Sequence, residues 1–156
     1  MKILVIAAHP DDEILGMGGT IRKYTNTGNT VKIIIMATGI FARRSSNLEN
    51  SSRYSMTKKE VNIAELQLKE LRKDAKKAAK IVGVSDIEFL DFPDNEMDTI
   101  SNLQVTKSIE KIIEAFNPDI VYTHSQNDVN IDHRIIHNAT LTATRPTSKT
   151  SVKSVF

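Results

Sequence analysis

The sequence predicts an α/β fold, a Rossmann-like three-layer domain with a mostly parallel sheet whose core strand order is 3-2-1-4. Two observations carry that prediction. Short, continuous apolar runs recur along the chain, as in strands buried on both faces of a parallel sheet. Between them lie segments with apolar residues at helical spacing, so strands and helices alternate throughout.

The first run is Ile3 to Ala8. From Ile14 to Asn26 the apolar positions 14, 17, 21 and 24 predict a helix, and Gly28 stands where a C-cap belongs. Val31 to Met36 is a second buried strand. Residues 39 to 56 are rich in serine, asparagine and arginine without a period, which predicts a loop. Thr57 and Glu60 form a capping box ahead of a helix with apolar residues at 61, 64, 68, 71, 75, 78, 79 and 82, ended by Gly83. Its basic face is interleaved with Glu65, Glu70 and Asp74, the pattern of a solvated helix.

Ile87 to Leu90 is the third strand, followed by a loop from Asp91 to Met97. Ser101 and Gln104 cap a helix whose core face is 105, 109, 112, 113 and 116, and Asn117-Pro118 stops it. Ile120 to Thr123 is the fourth strand, and a shorter helix begins near Asp132. With order 3-2-1-4 the topological switch point falls between strands 1 and 4, where ligands bind beyond the strands' carboxyl ends.

Composition narrows the class. The 156 residues suit one domain, 40% hydrophobic and 26% charged, and the net charge of +2 argues against nucleic-acid binding. No run reaches the roughly 18 apolar residues of a membrane span. There is no cysteine, which excludes disulfides and thiolate metal sites and suits a cytoplasmic location.

The chemistry-bearing residues gather in the two loops that flank the switch point. His9-Pro10-Asp11-Asp12-Glu13 follows the first strand. Carboxylates this close repel one another, and a cation among them relieves that repulsion. A helix N-terminus attracts acids too, but that does not account for His9. After the fourth strand come His124, Asp128, Asn130, Asp132, His133 and His137, with three of the chain's four histidines in 14 positions. His133 and His137 share a helix face, and the sequence leaves open which of them enters the crevice. Two histidines and a carboxylate suit zinc with an open position for water, and an adjacent carboxylate can take the water's proton. Such a set hydrolyses amides or esters.

These residues resemble the PIG-L/LmbE-type N-acetylglucosaminyl deacetylases. The likeness rests on His-Pro-Asp-Asp-Glu after strand 1 and Asp-His opening a later helix, with support from Gly16 to Thr20 and Leu141 to Pro146. It implies a zinc-dependent N-deacetylase acting on N-acetylglucosamine or a conjugate of it, with His9, Asp12 and His133 as ligands and Asp11 as general base. It also suggests that the loop around Arg53 touches substrate. Many members have histidine where this chain has Asn130, and that histidine is taken to stabilise the tetrahedral intermediate. Asparagine carries no charge. Either His124 supplies the charged donor, oriented by Asp128 and Asp132, with Asn130 as a neutral helper or a supporting group behind it, or His124 is a strand-end residue whose ring caps nearby backbone. Members also continue past this point. Ser151 to Phe156 has the pattern of a strand cut midway, and a further C-terminal segment of the same single domain (1–156) is expected. Val152 to Phe156 is expected to pair with the sheet or with another chain, so that self-association is a further expectation.

The competing readings are a catalytically impaired sugar-binding relative and a receiver-type phosphorylation switch built on Asp11, Asp12 and Asp91. A dinucleotide site at glycines 16, 18 and 19 is weaker, because they miss the required spacing.

Overall fold

In a computed structural model, which describes residues 1–42, 57–146 and 152–156, the strand β1 (Lys2–Ala7) lies at the centre of a parallel sheet. On one side of it run β2 (Thr30–Ala37) and β3 (Asp86–Phe92); on the other run β4 (Ile120–Tyr122) and β5 (Ser154–Val155). The order is β3-β2-β1-β4-β5. This is the predicted core with one more strand, and Val121 of β4 pairs with Val155 of β5.

Among the described residues four α-helices complete the layers: α1 (Asp12–Asn26), α2 (Lys58–Ile81), α3 (Asn102–Phe116) and α4 (Ile131–Ala143). Side chains of β1 alternate between the two faces of the sheet, as the pleat requires. Ile3, Val5 and Ala7 pack with Ile21 of α1 and Ala79 of α2. Leu4 and Ile6 pack with Val105 and Ile109 of α3 and with Ile136 and Ala139 of α4. Each of the larger aliphatic side chains contributes roughly 1.5–3 kcal/mol by leaving water.

The predicted caps are present. Thr57 and Glu60 form both halves of the capping box of α2, and the Ser101 hydroxyl accepts the backbone N–H of Gln104 at the start of α3. Asn117 ends α3 in the left-handed conformation. α1 begins two residues earlier than predicted, at Asp12, and is kinked at Met17 within its run of glycines. β3 extends to Phe92 because its backbone pairs with β2 past the polar Asp91. Asp91 is engaged by Arg72 of α2, on the flank of the sheet rather than at the switch point, and this removes the receiver-type arrangement. Among the described residues no helix is long and apolar enough to cross a membrane. Arg53, and residues 43 to 56 around it, for which the sequence predicts a loop, lie outside the described residues.

Candidate metal centre at the switch point

β1 and β4 are hydrogen-bonded neighbours, but the chain leaves β1 toward β2 and leaves β4 toward β5. The helices therefore diverge above their carboxyl ends and leave a crevice there. The turn after β1 supplies His9, Asp11 and Asp12, and the segment from β4 into α4 supplies His124, Asp128, Asp132 and His133.

Three atoms form the centre. His9 Nδ1 lies 3.4 Å from Asp12 Oδ2, His133 Nε2 lies 3.2 Å from the same oxygen, and the two ring nitrogens are 3.4 Å apart. Ligands about 2.0–2.2 Å from a tetrahedral ion stand roughly 3.3–3.6 Å from one another, so the triangle has the edge lengths such an ion requires. The structure thus brings together the three residues that the family resemblance implies as ligands.

Each histidine is held by a carboxylate on its other nitrogen. His133 Nδ1 lies 2.9 Å from Asp128 Oδ2, and His9 Nε2 lies 3.0 Å from Asp132 Oδ2. Such partners set the tautomer, leaving the facing nitrogen with a lone pair for a metal. Two other groupings, His124–Asp128–His133 and His9–Asp94–Asp132, also bring three ligating atoms close together. Their carboxylates lie on the nitrogens of His9 and His133 that point away from Asp12. Asp132, which is 0% exposed, accepts the backbone N–H groups of Asn95 at 2.7 Å and Met97 at 3.1 Å. Asp128 accepts that of Asn130 at 2.9 Å. Both acids therefore act as supports for the histidines.

Electrostatics agree with a cation-seeking cluster. Burial alone would lower the His9 pKa, but Asp12, Asp132 and Asp94 around it push it up to about 11. Burial would raise Asp12, yet His133 and His9 hold its carboxyl well below the usual carboxylate range. His133 is shifted upward against its burial by Asp12 and Asp128. A metal ion would take the place of these protons.

The expectation of a charged His124 oriented by Asp128 and Asp132 needs revision, and the structure sets the places of Asn130 and His137. His124 does not carry a charge. Its Nε2 accepts the Ala8 N–H at 2.7 Å, which requires that nitrogen to be unprotonated, and its ring stacks on His133 with centroids 3.8 Å apart. Burial, reinforced by the nearby His133, lowers its pKa to about 4. Asp128 and Asp132 do not orient His124; they face His133 and His9, because α4 begins at Ile131 and turns Asp132 toward the buried side. Asn130 is the N-cap of α4: its Oδ1 accepts the Asp132 N–H at 2.9 Å and its Nδ2 donates to Asn95 at 3.1 Å. His137 stays out of the triangle and bonds the His124 carbonyl through Nδ1 at 2.8 Å.

The sequence reading also missed Asp94. Its Oδ1 lies 3.3 Å from His9 Nε2 and its Oδ2 accepts the Ala42 N–H at 2.9 Å. The available signal was its place just beyond the carboxyl end of β3, on the side of the sheet where such domains bind ligands. Gly39 seats the end of β2 against the same turn. It has φ +75°, and a Cβ there would stand 2.7 Å from Pro10 Cδ, too close for any other residue without displacement.

Fold and site together define a doubly wound α/β domain with a histidine–carboxylate centre at its switch point. The profile of the PIG-L family, described as GlcNAc-PI de-N-acetylase, matches residues 4–144, and the chain belongs to that family. It is 35% identical over 120 residues to diacetylchitobiose deacetylase of Thermococcus kodakarensis, covering 77% of this chain and 39% of that protein. It is 30% identical over 142 residues to the "Probable N-acetyl-alpha-D-glucosaminyl L-malate deacetylase 2" of Bacillus cereus, covering 90% and 60%. Among solved structures, N,N'-diacetylchitobiose deacetylase from Pyrococcus horikoshii superposes with a TM-score of 0.71 at 28% identity, covering 92% of this chain and 49% of that one. The chain thus spans between two fifths and three fifths of the length of these relatives.

Proposed function

We propose that this chain carries the catalytic centre of a zinc-dependent N-deacetylase that hydrolyses the acetamide of an N-acetylglucosamine-type sugar or conjugate. The observation that carries the reading is the triangle of His9, Asp12 and His133, with each histidine braced by its own carboxylate. It is supported by membership of a family of de-N-acetylases and by relatives whose names specify acetylated glucosamine derivatives.

His9, Asp12 and His133 would hold the ion. Zinc bound there would supply a Lewis acid and would lower the pKa of a water toward about 7. Asp11, adjacent to the ligand Asp12, takes the proton of the attacking water and passes it to the departing amine. Asp132 and Asp128 fix the two imidazoles so that their lone pairs face Asp12. His124, kept neutral by the Ala8 N–H, walls the centre beside His133.

The test uses the full-length protein, loaded with zinc, on N-acetylglucosamine, diacetylchitobiose and an N-acetylglucosaminyl malate. Acetate release with at least one of them supports the reading. A protein that binds zinc and releases no acetate from any of them overturns it.

One observation favours a second reading, a sugar-binding relative with impaired catalysis. Neither Asn130, used as a helix cap, nor the neutral His124 supplies a charged donor for a developing oxyanion. Saturable sugar binding by the zinc-loaded protein without acetate release would establish it.

A further inference from the structure

Glu13 is a buried carboxylate, 1% exposed, that the chemistry above does not use. Acids at the second position of a helix commonly serve the helix dipole, but that role does not require the side chain to leave water. Glu13 instead folds back: its Oε2 accepts the backbone N–H of Asp11 at 3.1 Å. Asp11 has φ 155° and ψ −31°, a combination that L-residues rarely adopt and that persists only where the surroundings over-determine it.

Several hydrogen bonds hold this turn. The Asp11 carbonyl accepts the N–H groups of Ile14 at 3.0 Å and Leu15 at 2.8 Å, which commits it to the first turn of α1. Pro10, preceding it, has a fixed φ and no N–H. Asp12 Oδ2 takes the His9 N–H at 2.8 Å. Glu13 in turn holds the Asp11 N–H, the donor on the strained residue itself.

We propose that Glu13 is a positioning residue: its buried carboxylate locks the strained backbone of Asp11, and so sets where the proton-accepting carboxylate stands relative to the ligand Asp12. The activity readout of this inference rests on the deacetylase reading, whereas its structural readout does not.

The test compares wild-type protein with Glu13→Gln, which retains an oxygen able to accept the Asp11 N–H, and Glu13→Met, which fills similar volume and accepts nothing. For each, kcat, KM, zinc content and thermal midpoint are measured. Glu13→Gln should stay within a few-fold of wild type. Glu13→Met should lose roughly 10- to 100-fold in kcat, the scale of a misplaced catalytic group, with KM and zinc content little changed. Wild-type kcat in Glu13→Met overturns the proposal. Equal losses in both variants that follow a fall in thermal midpoint or zinc content overturn it too, because they mark a purely structural role. If the wild-type protein releases no acetate, the deacetylase reading fails by itself. The crystal structure of Glu13→Met then decides: Asp11 should relax to a negative φ, and an unchanged φ near 155° refutes the lock.

Discussion

His9 Nε2 lies 3.0 Å from Asp132 Oδ2, a contact between residues 123 positions apart that ties the turn after the first strand to the first turn of the last helix. It faces the imidazole's other nitrogen toward Asp12 and His133. Asp132→Asn removes the negative charge behind His9 while keeping an acceptor for one of the two backbone N–H groups. Zinc affinity, measured by competition with a chromophoric chelator, should fall roughly 10- to 100-fold. Unchanged affinity would show that Asp94 alone holds the ring.

Asp11→Asn should separate binding from turnover. Asparagine cannot take a proton from water, so kcat should fall by roughly 10² or more while zinc content stays at the wild-type level. Loss of zinc would instead place Asp11 among the ligands.

Metal uptake should release protons. In the metal-free protein His9 holds its proton up to about pH 11, and a ligating ring must give it up. Calorimetric titration with zinc at pH 7 in two buffers of different ionisation enthalpy should show net proton release, and affinity should rise with pH. Equal heats in the two buffers would contradict the charged His9.

His9 and His124 shape the pH profile of metal-free stability. His9 is raised from 6.5 to about 11, so its contribution is complete below pH 6.5 and is lost as pH rises toward 11. His124 is lowered from 6.5 to about 4, so the folded state loses stability as pH falls from 6.5 toward 4. Together they place a maximum near pH 6.5 in denaturant midpoints of the chelated protein. NMR of the imidazole nitrogens should find His124 neutral and His9 charged at that pH.

Asn130→Ala tests whether position 130 is a cap or a catalytic donor. Losing the bond to the Asp132 N–H should cost about 1 kcal/mol in chemical denaturation, with kcat reduced no more than a few-fold. A collapse of turnover without loss of stability would make the asparagine a donor in the reaction.

The order of elements was legible in the sequence because it depends on local pattern. The core order followed from the usual arrangement of a doubly wound sheet, and the set His9, Asp12 and His133 was implied by the family resemblance. Apolar runs mark buried strands, a Ser or Thr with Glu or Gln three residues on marks a helix start, and a dense cluster of acids with histidine marks a cation site. The partners of those residues were not legible. Whether His124 is charged depends on the Ala8 N–H, 116 positions away. Whether Asp132 serves His124 or His9 depends on which side of α4 is buried. Asp94 carries no motif, and it joins the centre only because β3, β1 and β4 end on the same edge of one parallel sheet. Local periodicity determines which segments are strands and helices, and so where the loops fall. Which nitrogen holds the proton and which carboxylate stands behind which ring are set by contacts between residues far apart in the chain, and only the tertiary structure decides them.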